Sequence, residues 1–181
     1  MTKQRGPSDM DVFEALYQRH KDMVFRTALG MLRDESEAQD LLQATFIKVY
    51  ESRPKFDGDE DAFRRWLHRV TVNLSIDVYR KKKRTGALSL DRAVGKGFQP
   101  SVEPAHSRLE TRDLALQALD CLDGKHRSVV VLKYFHGLAY DEIARILGIP
   151  QGTVKSRLNT AMRTMSARLM DPRTEEVSDA L

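Results

Sequence analysis

The chain holds a single cysteine, Cys121, in 181 residues. That excludes an internal disulfide and any metal site built from a cysteine cluster. Cys121 lies among Leu116, Leu119 and Leu122, the setting of a buried, inert thiol. Six prolines and ten glycines are few for this length and favour a helix-rich chain. No stretch approaches the roughly 20 apolar residues of a membrane span. The start MTKQRGPSDMDVFEALYQRH lacks the apolar run of a signal peptide, so a soluble, cytoplasmic protein is expected. His20, His68, His106, His126 and His136 are scattered, with no pair at i, i+3 or i+4 to hold a metal on a helix. There is no glycine-rich phosphate loop and no nucleophile elbow. Asp57, Asp59, Glu60 and Asp61 lack the ligand order and closing glutamate of a calcium loop. No catalytic residue, metal or cofactor is expected, and the chain does not read as an enzyme.

What the sequence does have is charge, unevenly placed. The net charge is +4 and the pI about 9.2. Asp34 to Asp61 carries nine acids against Lys48, Arg53 and Lys55, and Ala62 to Arg84 carries eight bases against Asp77 alone. Such a reversal suggests two adjacent surfaces with different partners. From Ile143 to Met170 there is no acid, while Arg145, Lys155, Arg157, Arg163 and Arg168 give a basic surface suited to a polyanion. Within that stretch Ala144, Gly148 and Val154 have the spacing of a helix-turn-helix. The glycine closes a first helix, and Pro150 suits the first turn of a second. Val154, Leu158, Ala161 and Met165 form the buried face of the second helix, leaving Gln151, Thr153, Lys155, Ser156, Arg157 and Asn159 outward.

Hydrophobic periodicity places three earlier helices. Ser8 or Asp9 caps the first, which runs to about Leu32. The second opens at Ser36 with Gln39 as a capping box, carries Ala38, Leu41, Leu42, Thr45, Phe46, Val49 and Tyr50 as its apolar face, and stops before Pro54. After a loop at Lys55 to Asp61, the third runs from Ala62 to about Arg84 on a core face of Phe63, Trp66, Leu67, Val70, Leu74 and Val78. Residues 85–108 have no sustained period and hold Gly95, Gly97, Pro100 and Pro104, the marks of a linker. Further helices are expected over Arg108 to Leu122 and Lys125 to Phe135, ahead of the helix-turn-helix. The fold class is all-α, with two small helical domains at 1–84 and 109–170, joined by the flexible linker 85–108 and followed by a polar tail, 171–181.

Three segments in this order resemble the extracytoplasmic-function (ECF) subfamily of bacterial RNA polymerase sigma factors over about residues 11–169. EAQDLLQATF (Glu37 to Phe46) is similar to the region 2 segment that docks on the polymerase clamp helices. FRRWLHRVTVNLSIDVYRKKKR (Phe63 to Arg84) is similar to the segment that melts and reads the minus-10 element. Leu122 to Leu158, from LDGKHR to GTVKSRL, is similar to region 4, which binds the minus-35 element. Thr160-Ala161-Met162 departs from the Arg-Ala-Arg common in the family. Asp123 stands where proline is frequent, and Ala139 where a capping serine is frequent, which assigns part of that capping to Asp141.

The resemblance implies an alternative sigma factor that binds core RNA polymerase through its clamp helices and flap, together with promoter DNA, and is held in check by an anti-sigma factor. Glu37, Asp40, Gln43 and Phe46 are then the polymerase-binding residues; an acidic face repels phosphate and suits a basic protein surface. Phe56, Arg64, Arg65, Arg69, Asn73, Arg80 and Arg84 are the minus-10 candidates, with cations for phosphates and the Asn73 amide for a base edge. Thr153, Lys155, Ser156, Arg157, Asn159 and Arg163 are the minus-35 candidates. Two rivals remain open at this point. A stand-alone helix-turn-helix regulator would bind a palindromic site without polymerase. A decoy that sequesters an anti-sigma factor would tolerate loss of Asn73, Lys155 and Arg157.

Overall fold

The computed structural model describes residues 9–52, 59–85 and 118–169. The tail 1–8, the loop around Phe56, the linker, the start of the helix expected at Arg108 and the tail from 171 lie outside the described residues. Everything described is helix or tight turn. α1 spans Asp9–Leu32, α2 Glu35–Ser52 and α3 Glu60–Thr85. A 3-10 turn at Leu119–Cys121 leads to α4, Gly124–Val130, which continues as a π-turn, Val131–Phe135. α5 is Tyr140–Leu147 and α6 is Gln151–Leu169.

Local chemistry sets the boundaries. α1 ends because Arg33 turns left-handed, at φ 59°, with its N–H still bonded to Leu29 O at 2.8 Å. Asp34 then caps α2, its carboxylate accepting the Glu37 N–H at 2.8 Å. The cap is therefore Asp34 and not Ser36: the carboxylate two residues earlier reaches the free amide first. Asp59 caps α3 in the same way through Ala62 N–H at 2.9 Å, which starts that helix ahead of the expected Ala62. Asp123 caps α4 through His126 N–H at 2.9 Å. Burial opposes ionisation of Asp123, but the hydrogen bonds from the His126 amide and ring outweigh it and hold its carboxyl below the usual carboxylate range. At Ala139, Glu142 and not Asp141 reaches back to the free N–H, at 2.8 Å, supplying half a capping box. Asp141 instead pairs with Arg145 at 2.6 Å.

The first domain has two cores. Val24, Leu42, Phe46, Val49, Phe63 and Leu67 form one, with Tyr17 set edge-on to Phe46 at 4.8 Å and Trp66 stacked on Phe63. Ala28, Leu29, Ala38 and Leu41 form the other, against Leu74 and Val78. The expected core face of α3 is only part of what is buried: His68, Thr71, Val72 and Ser75 are also inaccessible. The reason is the second domain. Its core of Leu119, Leu122, Val129 to Leu132, Ile143, Ile146, Val154, Leu158 and Ala161 takes in Met31 from α1 and Val72 from α3. The two domains thus share one apolar cluster, which no period in either segment announces.

Candidate nucleic-acid and polymerase interfaces

On α2, Asp40, Gln43, Ile47 and Tyr50 follow at intervals of three and four, so they line one face, and all four are exposed. Tyr50 was expected among the core residues; it packs edge-on to Phe13 at 5.6 Å but keeps half its surface open. Two other expectations change. Phe46 is only 3% exposed and supports this face from beneath instead of presenting surface. Glu37 accepts from Lys82 Nζ at 2.7 Å, tying α2 to α3.

On α3, Arg65, Arg69, Asn73, Asp77, Arg80 and Arg84 recur at intervals of three and four along one side. All are exposed except the half-exposed Arg65. The stripe from Arg65 to Arg84 is about 28 Å long at 1.5 Å per residue. Its ion pairs are loose and local: Arg65 with Asp59 at 4.0 Å, Arg80 with Asp77 at 3.8 Å. Pairs of this kind are worth little in water and yield readily to a phosphate. Arg64 falls elsewhere, bonded to Asp61 at 3.1 Å and lining a cleft with Arg19, Arg26, Glu60 and His136.

The helix-turn-helix closes as its sequence implies. Gly148 has φ 64°, and Ala144 O accepts the N–H of both Gly148 and Ile149. Pro150 sits immediately before α6, where its carbonyl accepts from Thr153 and Val154. Val154, Leu158 and Ala161 are buried, so Lys155, Asn159 and Arg163, four residues apart, form the exposed ridge. Ser156 is exposed and donates to Thr153 O at 3.0 Å, while Thr153 and Arg157 are half-buried at the edges. The ammonium groups of Lys155 and Lys133 lie 5.9 and 5.0 Å from the centre of the Tyr140 ring, at the base of the ridge. Within the Thr160-Ala161-Met162 departure, Ala161 is core and Met162 is exposed beside Arg163.

The α3 stripe and the α6 ridge each lie within a segment that matches a known family. The family profile of Sigma-70 region 2 matches residues 16–85, and that of Sigma-70, region 4 matches residues 112–165. Over 180 residues the chain is 34% identical to the ECF RNA polymerase sigma factor SigW of Bacillus subtilis (strain 168), covering 93% of this chain and 95% of that one. The chain belongs to the ECF sigma factors. It is also 32% identical to the ECF RNA polymerase sigma factor SigL of Mycobacterium tuberculosis (strain ATCC 25618 / H37Rv), over 88% of this chain and 90% of the relative. Among solved structures, that of CnrH in complex with the cytosolic domain of CnrY covers 90% of each chain at 27% identity with a TM-score of 0.63. As an alternative sigma factor the protein directs RNA polymerase to promoters; it is an initiation factor and not an enzyme.

Several groups in this sigma factor escaped the sequence reading. Ile47 extends the α2 face, Tyr140 and Lys133 support the α6 ridge, and Arg127 holds the domains together. His68 and His136, far apart in sequence, meet with ring centroids 4.7 Å apart. Burial pushes His68 down to about 3, with the neighbouring positive groups adding to the shift, and burial beside Arg26 pushes His136 down to about 4. Thr27 donates its hydroxyl to Met23 O at 2.8 Å, so its oxygen accepts from His136 Nε2, also at 2.8 Å. Cys121 is half-buried, its thiol donates to Ala118 O at 3.0 Å, and burial pushes its pKa up. Among the described residues no three His, Cys, Asp or Glu side chains gather as a metal site. No described helix is long and apolar enough to cross a membrane.

Proposed function

We propose that α3 grips and opens the minus-10 element, that α6 reads the minus-35 element, and that the α2 face docks on the polymerase clamp helices. The observation that carries this reading is the pair of exposed stripes, Arg65 to Arg84 on α3 and Lys155–Asn159–Arg163 on α6, each on a helix whose opposite side is buried. Taking a base out of a duplex costs a few kcal/mol. The α3 arginines offset part of that by neutralising phosphates, and the exposed Asn73 amide both donates to and accepts from a base edge. Lys155 and Asn159 reach base edges while Gln151 and Thr153, near the α6 start, take phosphate. Asp40 and Gln43 meet a basic surface on the polymerase, and Ile47 and Tyr50 add apolar contact.

Glu37 and Phe46 leave the set of direct contacts, since one is paired within the chain and the other is buried. The protein works in the cytoplasm, where its polymerase is. An anti-sigma factor is its regulator: solved relatives of this fold include the sigma factor RpoE in complex with the anti-sigma factor NepR from Bartonella quintana, at 21% identity.

Run-off transcription with purified core enzyme on a promoter library tests the reading and yields the target sequence. Asn73→Ala should lower open-complex formation at least tenfold with core affinity unchanged; equal loss of both would remove Asn73 from base contact. Asp40→Arg should abolish binding to core enzyme at unchanged helicity by circular dichroism. Wild-type affinity in that variant would move the docking site off α2.

A further inference from the structure

Lys82 belongs to the basic run Arg80 to Arg84, yet it does not face outward with its neighbours. Arg80, Lys81 and Arg84 are exposed, while the Lys82 side chain keeps 17% of its surface open. Helical phase explains the difference. Leu74 and Val78 pack against the cluster that holds Ala38 and Leu41 of α2, and Lys82 continues that row one turn further. There its Nζ donates to Glu37 Oε1 at 2.7 Å.

Glu37 is itself held in place. It lies in the first turn of α2, where the Asp34 carboxylate accepts its N–H. Its side chain is 27% exposed, and Oε2 is buried with no hydrogen-bond partner. A half-enclosed carboxylate of this kind depends on its cation, because loss of one partner leaves the other charge out of water and unpaired. The contrast with the stripe is plain: Arg65–Asp59 and Arg80–Asp77 are 4.0 and 3.8 Å apart, loose and well exposed. The short, sheltered pair is the stronger tie.

Its place gives it leverage on two surfaces. Glu37 precedes Asp40 by three residues, so it adjoins the exposed face of α2. Lys82 sits two residues from both Arg80 and Arg84 of the α3 stripe. Beyond Val78, α3 runs on to Thr85, roughly 10 Å at 1.5 Å per residue. A helix end of that length opens readily where few contacts hold it, and the ion pair fastens it to α2.

We propose that the Lys82–Glu37 ion pair is a positioning element for promoter opening. It holds the last turns of α3 at a fixed angle to the α2 face, so that Arg80 and Arg84 meet phosphates of the minus-10 element. This role rests on the assignment of α3 to that element and of α2 to the polymerase. Lys82 and Glu37 touch neither partner and act through the arginines. Charge alone predicts the opposite effect at Glu37, since removing a carboxylate beside a basic stripe raises attraction to DNA. A fall in promoter binding on that change is what positioning requires.

The test uses the full chain with core enzyme and a promoter chosen from the run-off library. Lys82→Met, Glu37→Gln, the double variant and Lys82→Arg all keep good helix formers. Core affinity, helicity and open-complex formation over a range of salt are measured for each. A phosphate contact contributes about 0.9 to the slope of log affinity against log salt, so Arg80→Ala with Arg84→Ala should lower the slope by about 1.8. Lys82→Met and Glu37→Gln should each lower open-complex formation severalfold and move the slope toward that of the arginine variant, with core affinity and helicity unchanged. The double variant should be no worse than either single change, and Lys82→Arg should behave as wild type. Should Glu37→Gln lose helicity, Glu37→Asp, which keeps the charge but shortens its reach, decides in its place.

Loss in Lys82→Met without loss in Glu37→Gln would make Lys82 a phosphate contact. Weaker core binding in Glu37→Gln alone would make Glu37 a polymerase contact. Either result overturns the positioning role. So does a wild-type slope in both variants when the arginine variant has lost its share. A slope unmoved even by Arg80→Ala with Arg84→Ala would instead remove those arginines from the promoter, and the positioning role with them.

Discussion

Arg127 is 3% exposed, and its guanidinium holds three carbonyls: Met31 O from the first domain, Leu119 O at 2.8 Å and Leu122 O at 3.3 Å. Burial pulls its pKa below the ordinary arginine value, and the Tyr79 and Asp120 side chains oppose that shift. A fork of donors at fixed angles is what these acceptors need, and a lysine ammonium cannot span them. Arg127→Lys and Arg127→Met should each cost about 3 kcal/mol in urea unfolding of the full chain, because they leave buried carbonyls unpaired. A loss below about 1 kcal/mol would mean that the acceptors find water instead. Nothing in the sequence marks this arginine as buried. One of its acceptors lies 96 residues away, and a periodicity reading treats any arginine as surface. The same blindness hides the Lys82 ammonium from α3 that pairs with Glu37. Asn73, Lys155 and Asn159 were legible as exposed, because helical phase alone puts them opposite a strongly apolar face.

Helices were the readable scale. α1, α2, α3, α5 and α6 follow long apolar periods, so their existence and faces could be derived, and the left-handed Gly148 could be placed from one residue type and its neighbours. Starts were read less well, because several carboxylates compete for the same free amides. Asp34, Asp59 and Glu142 win by geometry that spacing alone does not rank. The α2 start gives a clean test. Asp34→Ala should lower stability by about 1 kcal/mol, while Ser36→Ala, within the first turn of the helix, should change it by less than about 0.5 kcal/mol in chemical denaturation. The reverse order would return the cap to Ser36. The π-turn at Val131–Phe135 was not foreseen at all. An extra residue in a helical turn has no compositional mark, yet it is this turn that brings Phe135 O and His136 against α1.

At the scale of the whole molecule, the packing of the two domains was the least legible feature, since it depends on surfaces whose residues are polar or ambiguous: His68, Thr71, Ser75, Arg127 and His136. Those histidines give the assembly a pH dependence of definite sign. His68 faces His136, His20 and Arg64; His136 faces Thr27 and Arg26 from α1 and His68 from α3. Among the described residues no carboxylate raises either of them; at His20 Glu60 does oppose the shift, but burial outweighs it and that ring is lowered too. Both folded values, about 3 and about 4, lie below the unfolded 6.5. Below pH 6.5 the unfolded chain therefore takes protons that the folded chain refuses, and folding stability is lost as pH falls from about 6.5 toward about 4. Each histidine contributes a slope approaching 1.4 kcal/mol per pH unit within that window (about, at full effect). Urea midpoints measured from about pH 7 to about pH 5 should fall steeply for the wild type. His136→Gln keeps an N–H for Thr27 but cannot titrate, so it should remove the share of the slope that His136 contributes. A wild-type slope no steeper than that of His136→Gln would show that protons reach these rings without parting the domains.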